Sequence, residues 1–189
     1  YEDWDFGIGV NLGGVVNGIQ TFVPRIRAHG EGGHVVSTAS MAGLVPMPPQ
    51  MAIYGMTKAA VIALSESLRQ ELAPSGIGVS VLCPGPVKSN IHELGQNRPE
   101  RFRGNSGFRR AEERLSQRPV SPMWMEPEEV GGMVLRGILD DTLYVITHGE
   151  WREQVSTRAE ALIAAMPEAK NPAIVGSTRV PEEDPAGQG

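Results

Sequence analysis

The sequence predicts an α/β fold built on a parallel sheet. Two short apolar runs, His34–Ala39 and Ile77–Leu82, have the length and composition of buried strands. A long helical pattern, Tyr54–Ala73, lies between them and carries alanines and leucines at helical spacing. Because strand–helix–strand units cross over with one hand, this order favours two parallel strands in the same sheet.

The remaining elements follow from spacing and from helix-end signals. Residues 3–28 repeat apolar side chains at helical intervals, which predicts a first helix. Residues 126–139 open with a proline and acidic residues, which suit the positive end of a helix dipole. We expect a last strand at Leu143–Thr147 and a final helix at Glu150–Met166.

Two less regular segments complete the organisation. Residues 1–166 are expected to form one domain, in which residues 89–125 are a substrate lid with a short helix near Ala111–Gln117. Seven arginines between residues 98 and 118 are expected to be solvated, although one or two of them are candidates for substrate or phosphate recognition. Residues 167–189 are rich in proline, glycine and acid, which predicts a disordered tail.

Composition argues against several classes of function. The net charge of −5 gives no basic balance that would favour nucleic acid. No uninterrupted apolar run reaches the ~18 residues of a membrane span, so no membrane partner is expected. One cysteine rules out internal disulfides and fits a reducing cytoplasm. The histidines have no metal-ligand spacing, so no metal is expected.

The motif Tyr54-x-x-x-Lys58 carries the chemistry. Its two side chains project from one face of a helix, one turn apart. An ammonium stabilises a phenolate, which makes Tyr54 a candidate general acid/base. Ser40 ends a predicted strand, where ligands of open α/β sheets gather, and its hydroxyl can hold a substrate oxygen. The Asn11 carboxamide can position a water for proton supply. The set indicates redox chemistry between an alcohol and a carbonyl.

Four sequence blocks together resemble the catalytic half of the short-chain dehydrogenase/reductase family. They occur in the family's order, at close to its spacings, within residues 1 to about 90: Asn11-Leu12-Gly13-Gly14, Ser40-Met41-Ala42-Gly43, Tyr54-x-x-x-Lys58 and Pro84-Gly85-Pro86-Val87-Lys88-Ser89. Within the family, Asn97–Phe102 and Leu143–Gly149 resemble bacterial Cα-dehydrogenases that act on lignin-derived β-aryl ethers. The resemblance implies a Rossmann-like, doubly wound parallel sheet.

The resemblance also implies the catalytic roles. Tyr54 would exchange a proton with the substrate oxygen while hydride moves between the substrate carbon and a nicotinamide. Lys58 would lower the pKa of Tyr54 and hydrogen-bond the nicotinamide ribose, and Tyr54 would also contact the nicotinamide end of the cofactor. Ser40 would bind substrate together with Tyr54, and it is preferred to Ser37 because the Ser-x-Ala-Gly pattern falls on it. Asn11 would be the fourth catalytic residue, and a locally opened helix would account for it and for the glycines that follow.

Cofactor contacts are implied on the turn after the second strand. Pro84 and Gly85 shape this turn, the Val87 backbone would hold the nicotinamide carboxamide, and the Ser89 hydroxyl would touch the carboxamide or a phosphate. The cofactor is NAD or NADP, with NAD favoured by the resemblance. The family further implies a cytoplasmic homodimer or homotetramer, joined through helices Asn11–Ile26 and Tyr54–Ala73.

The Gly-rich turn of a dinucleotide-binding fold is missing from the sequence. Gly7-x-Gly9 lacks both the third glycine and a preceding strand. We therefore expect roughly 100 further residues ahead of Tyr1 in the complete enzyme, and residues 1–189 alone to be inactive. Two other functions stay open: an extended-family epimerase or dehydratase, and a non-catalytic half-domain that acts by associating with another chain.

Overall fold

A computed structural model describes residues 1–93, 98–103 and 123–168. Its sheet has three parallel strands in the order β1-β2-β3. Their bounds are Gly33–Thr38 for β1, Ile77–Cys83 for β2 and Tyr144–Ile146 for β3. In register, Gly33 of β1 lies opposite Ile77, and Val81 of β2 lies opposite Tyr144. The predicted parallel α/β fold is confirmed.

The helices lie close to their predicted positions. They are α1 (Glu2–Gly7), a π-helical segment (Ile8–Gly13), α2 (Gly14–His29), α3 (Ala52–Leu72), α4 (Pro127–Leu139) and α5 (Arg152–Ala164). The first three run on without a break, so the predicted helix over residues 3–28 is locally widened around Asn11. The short helix predicted near Ala111–Gln117, most of the lid and the tail from residue 169 lie outside the described residues.

Helices cover both faces of β2, which makes the arrangement doubly wound. Alternate β2 residues face opposite sides of the sheet. Val79, Val81 and Cys83 pack with residues of α3, whereas Leu82 packs with Val130 of α4 and Val145 of β3. This explains why β2 is nearly continuous in its apolar character, as expected for a parallel strand buried on both faces.

The chain divides into two compact units. The first, Tyr1–Val155, contains the sheet and helices α1 to α4. The second begins at Ser156, within α5; there the Ser156 hydroxyl donates to Glu160 at 2.7 Å, one helical turn away.

Arg98 departs from the expectation of a solvated arginine. It is only 5% exposed, and its guanidinium pairs with the Asp3 carboxylate of α1. The central carbon of this guanidinium, Cζ, lies 4.8 Å from the ring centroid of Phe6. A buried cation is tolerated when it is paired and stacked in this way. The arginines at 109, 110, 114 and 118 lie outside the described residues.

One helical run qualifies the expectation about membranes. Residues Glu2–His29 are long and apolar enough to cross a membrane by length and composition alone. Buried core helices of soluble proteins and N-terminal signal sequences pass the same test, and 6% of the apolar stretch of this run is buried. Val23 of this run is buried and packs with Leu72 of α3 and Val79 of β2. Its first turn carries Glu2 and Asp3.

Candidate active site

Tyr54 and Lys58 lie near the start of α3, beside the carboxyl end of β1. The Lys58 ammonium donates to the Thr38 carbonyl at 3.0 Å and lies 5.7 Å from the centroid of the Tyr54 ring. Within the described residues, the Tyr54 hydroxyl has no hydrogen-bond partner. The structure therefore leaves a phenol with unused hydrogen-bonding capacity next to a cation.

Burial shifts the pKa values of two ionisable groups at this end of the sheet, Lys58 and Cys83. Desolvation lowers the pKa of Lys58, because it penalises the charged ammonium. Desolvation also raises the pKa of the fully buried Cys83 thiol to about 11, because there the charged form is the thiolate. Cys83 is thus a neutral packing residue, as its position at a strand end predicts.

Ser40 caps the short 3₁₀ turn Met41–Gly43 that follows β1. Its Oγ accepts a hydrogen bond from the Ala42 amide at 3.1 Å. Its Oγ also lies 3.5 Å from the Pro84 carbonyl oxygen, to which its proton points, and this distance is the long limit of a hydrogen bond. The capping role uses the acceptor side of the hydroxyl and leaves its proton weakly held, so Ser40 keeps a donor for another oxygen.

Gly43 brings this turn into direct contact with α3. A Cβ at Gly43 would lie 2.7 Å from the Lys58 carbonyl carbon and 2.8 Å from the Ala59 nitrogen. Only glycine allows the two backbones to approach so closely. The Ser40 turn is consequently held against the helix that carries Tyr54 and Lys58.

Asn11 belongs to the π-helical segment and shares a groove with Lys58. The groove has a volume of about 440 Å³ and runs between α2 and β1. Ser37 and Thr38 of β1 also line it, with Val15 and Ile19 of α2. The Asn11 amide donates to Thr57 Oγ1 at 3.1 Å. The structure thus brings Asn11 and Lys58 to one cavity, which Tyr54, Ser40 and Val87 do not line.

The turn after β2 presents the backbone of Val87. Met125 pairs with the residues on either side of Val87: its amide donates to the Pro86 carbonyl at 3.1 Å, and its carbonyl accepts from the Lys88 amide at 3.0 Å. In a parallel bridge of this kind the N–H and C=O of the middle residue point away from the partner. Ser89 is exposed two residues further on.

Thr147 and His148, a buried pair directly after β3, support this turn. Thr147 Oγ1 accepts from the Gly85 amide at 3.1 Å and lies 2.6 Å from His148 Nδ1. His148 Nε2 lies 2.9 Å from the Met123 carbonyl, so Nε2 carries the proton and the Thr147 hydroxyl donates to Nδ1. A Cβ at Gly85 would meet the His148 ring at 2.7 Å. The sequence signal for this pair is the position of Thr147-His148-Gly149 directly after the last predicted strand, which favours a structural role for His148.

Comparison with known proteins defines the class to which this fold and site belong. The profile of the short chain dehydrogenase family matches residues 1–99, slightly more than half of the chain. The chain belongs to the short-chain dehydrogenase family.

Three relatives narrow the similarity. The chain is 42% identical over 165 residues to a Cα-dehydrogenase of Sphingobium sp., covering 86% of this chain and 53% of that protein. A short-chain dehydrogenase/reductase from Burkholderia phymatum, solved in complex with NAD, is 32% identical with a TM-score of 0.79, covering 90% of this chain and 62% of that one. The apo form of LigD from Sphingobium sp. is 34% identical with a TM-score of 0.64, covering 89% and 57%. The chain spans about half the length of the curated relative.

Proposed function

We propose that this chain carries the catalytic residues of an NAD(P)-dependent short-chain oxidoreductase that interconverts a secondary alcohol and a ketone. The observation that carries the proposal is the placement of Tyr54 and Lys58 on one face of α3, with the phenol hydroxyl unbonded among the described residues. The turn of Ser40 packs on the same helix. A phenol, a cation and a hydrogen-bond donor placed in this way can carry out acid/base chemistry on a substrate oxygen.

In this proposal, Tyr54 Oη takes the hydroxyl proton of the alcohol during oxidation and returns it during ketone reduction. Lys58 stabilises the phenolate that exists before the proton is taken. Ser40 donates its weakly held proton to the same substrate oxygen and fixes its position. Asn11, in the widened helix beside Lys58, orders the water that resupplies the proton.

The turn after β2 fits a nicotinamide coenzyme. The Val87 N–H and C=O point away from Met125, and a carboxamide needs one acceptor and one donor of this kind. Pro84 and Gly85 shape the turn, Ser89 offers a hydroxyl at its end, and Lys58 lies within the groove where a ribose would be held. The coenzyme supplies the hydride acceptor when bound. NAD is favoured over NADP because the relative from Burkholderia phymatum was solved with NAD.

The similarity to a Cα-dehydrogenase suggests the substrate class. We propose a benzylic secondary alcohol, of the kind found in lignin-derived aryl ethers. We also propose that the enzyme is a cytoplasmic homodimer or homotetramer.

The function is tested by measuring coenzyme reduction by the native gene product, including any residues that precede Tyr1. A benzylic alcohol should reduce NAD or NADP, and the Tyr54→Phe variant should lose roughly 10²–10⁴ in kcat because the proton relay is gone. Its unfolding midpoint should match that of the wild type, since no protein hydrogen bond to the hydroxyl is lost within the described residues. Near-normal turnover in Tyr54→Phe would refute the role of Tyr54.

A further inference from the structure

Thr57, between Tyr54 and Lys58 in sequence, is fully buried and uses its hydroxyl twice. Its Oγ1 donates to the Tyr54 carbonyl at 2.9 Å, within the first turns of α3. The same oxygen accepts from Asn11 Nδ2 at 3.1 Å, across to the π-helical segment. One side chain therefore joins the helix that carries the acid/base pair to the segment that carries Asn11.

The protons on these groups determine the orientation of the Asn11 amide. A threonine hydroxyl has one proton, and here it goes to the Tyr54 carbonyl. Thr57 Oγ1 can then only accept from Asn11, so the amide must present Nδ2 to it and keep Oδ1 for another group. Thr57 thus selects which of the two amide ends remains available to a ligand or water.

Asn11 belongs to the π-helical segment, a backbone geometry that bears on its role. π-helical turns inside α-helices are rare and occur often at functional sites. Asn11 lies in this turn, and it is only partly buried beside the groove that it shares with Lys58. Its hydrogen bond to Thr57 ties its side chain to α3.

We propose that Thr57 is a positioning residue: its hydroxyl fixes the orientation of the Asn11 amide relative to Tyr54 and Lys58. This inference rests on the proposed oxidoreductase function. Thr57 itself touches no reacting atom in the proposal. It acts through Asn11 on the supply of protons and through the Tyr54 carbonyl on the start of α3.

Three variants of the native gene product test the proposal. Thr57→Val keeps the shape and removes both hydrogen bonds, Thr57→Ser keeps the hydroxyl, and Ser65→Ala is the matched control. Ser65 is also fully buried on α3, and its hydroxyl donates to the Val61 carbonyl at 2.8 Å, away from the site. We expect kcat of Thr57→Val to fall about 10- to 100-fold with KM nearly unchanged, because the proton relay is misplaced.

The two other variants and the pH profile separate positioning from stability. Thr57→Ser should restore kcat to within about threefold of wild type, and Ser65→Ala should keep wild-type kcat per folded molecule. The pH dependence of kcat should change in Thr57→Val and stay as in wild type in Ser65→Ala. Equal kcat values and pH profiles for Thr57→Val and Ser65→Ala would overturn the proposal.

A double variant tests the route through Asn11. If Thr57 acts by orienting that amide, Asn11→Leu should lower kcat in the wild-type background but by less than about twofold in the Thr57→Val background. Independent, multiplicative losses would contradict this route.

Amide hydrogen exchange tests the Asn11–Thr57 hydrogen bond independently of any enzyme activity. Amides of residues 8–13 should exchange at least about tenfold faster in Thr57→Val and in Asn11→Leu than in Ser65→Ala, because either substitution removes the tie to α3. A wild-type enzyme inactive on every alcohol would refute the proposed function, whereas unchanged exchange would refute the positioning role of Thr57. Asn11→Leu removes the same bond from its other end, so the exchange test stands even if Thr57→Val does not fold.

Discussion

At the amino ends of the strands, polar side chains bond to one another, whereas beside the carboxyl end of β1 some hydroxyls keep unused hydrogen-bonding capacity among the described residues. Arg69 of α3 illustrates the first case. Its guanidinium donates to both carboxylate oxygens of Asp141 at 3.0 and 2.9 Å, to the Asp141 carbonyl at 2.8 Å and to the Val79 carbonyl at 2.9 Å. Tyr54 of the same helix illustrates the second.

The amino-end network continues into β1. The Ser80 hydroxyl donates to the Thr142 carbonyl at 2.6 Å, so it accepts from His34 Nε2 at 2.7 Å. His34 Nδ1 is then unprotonated and lies 3.9 Å from an Asp141 carboxylate oxygen. Asp141 itself has φ of 48°, a left-handed conformation that a non-glycine residue adopts only at a cost, and its bonds to Arg69 hold it there.

This difference separates stability from activity along one helix. Hydrogen bonds that are already formed between protein groups stabilise the fold and have nothing left for a ligand. Groups with a free donor or acceptor contribute less to the fold and are available for chemistry. Substitutions at the carboxyl ends should therefore reduce turnover, and substitutions at the amino ends should reduce the free energy of unfolding.

After Tyr54→Phe, the largest effect on turnover should come from Lys58→Met. It removes the ammonium and keeps the stem, so kcat/KM should fall on the order of 10²–10³. Burial already disfavours the charged form and lowers the pKa of Lys58, which offsets the lost hydrogen bond to the Thr38 carbonyl, so the free energy of unfolding at neutral pH should change by less than about 1 kcal/mol. Steady-state kinetics and chemical unfolding of the native gene product measure both quantities. A variant with a lower free energy of unfolding but normal turnover would show that Lys58 serves stability and not activity.

Arg69→Ala should give the opposite result. It removes hydrogen bonds to two backbone carbonyls and to the Asp141 carboxylate, at a cost of about 2 kcal/mol after allowance for partial exposure. Arg27→Ala is the matched control. Among the described residues Arg27 pairs with Glu71 alone, in an exposed ion pair at 2.8 Å, and its loss should cost less than about 1 kcal/mol. Urea unfolding measures both. Equal costs for the two variants would show that the amino-end network adds nothing.

The strands and α3 could be predicted from the sequence because their signals are local. Apolar runs and the spacing of alanine and leucine in Tyr54–Ala73 report which side chains face the sheet. The i to i+4 relation of Tyr54 and Lys58 is likewise fixed by helix geometry alone. Asn11 and the following glycines indicated a local opening of the first helix, and the structure gives its form as a π-helical turn.

Contacts between residues far apart in the chain could not be predicted. Thr57 resembles any helix residue until Asn11, 46 positions earlier, is placed against it. Arg98 lies in an arginine-rich stretch and reads as solvated, yet it pairs with Asp3, 95 positions earlier. In both cases tertiary packing decides whether a polar side chain meets water or another residue.

His34→Gln should sharpen the comparison through pH. Burial lowers the pKa of His34 below its ordinary 6.5, against a raising effect of Asp141 and alongside a lowering effect of Arg69. The unfolded chain then binds more protons below pH ~6.5, so the contribution of His34 is complete above that pH and is lost as pH falls.

Glutamine at this position can still donate to Ser80 but cannot be protonated. The free energy of unfolding of His34→Gln should therefore fall less than that of the wild type between pH 7 and pH 5. Urea unfolding at the two pH values measures the difference. An equal fall in the free energy of unfolding for the wild type and the variant over this range would show that the protonation of His34 does not affect stability.

Tyr144→Phe should give the smallest effect, because Tyr144 lies between the two ends of the sheet. Its hydroxyl donates to the Glu66 carboxylate at 2.6 Å, and this bond, with burial, raises the pKa of Tyr144 to about 12. The neutral phenol is favoured in the folded protein, so its contribution is present below pH ~10 and is lost as the pH rises toward 12. Since the side chain is 43% exposed, Tyr144→Phe should cost less than about 1 kcal/mol.

Ultraviolet titration of the three tyrosines should lose its most alkaline transition in Tyr144→Phe, and that transition should move to lower pH in Glu66→Gln. A most alkaline transition that persists in Tyr144→Phe would assign it to another tyrosine and would place the unusual phenol outside β3.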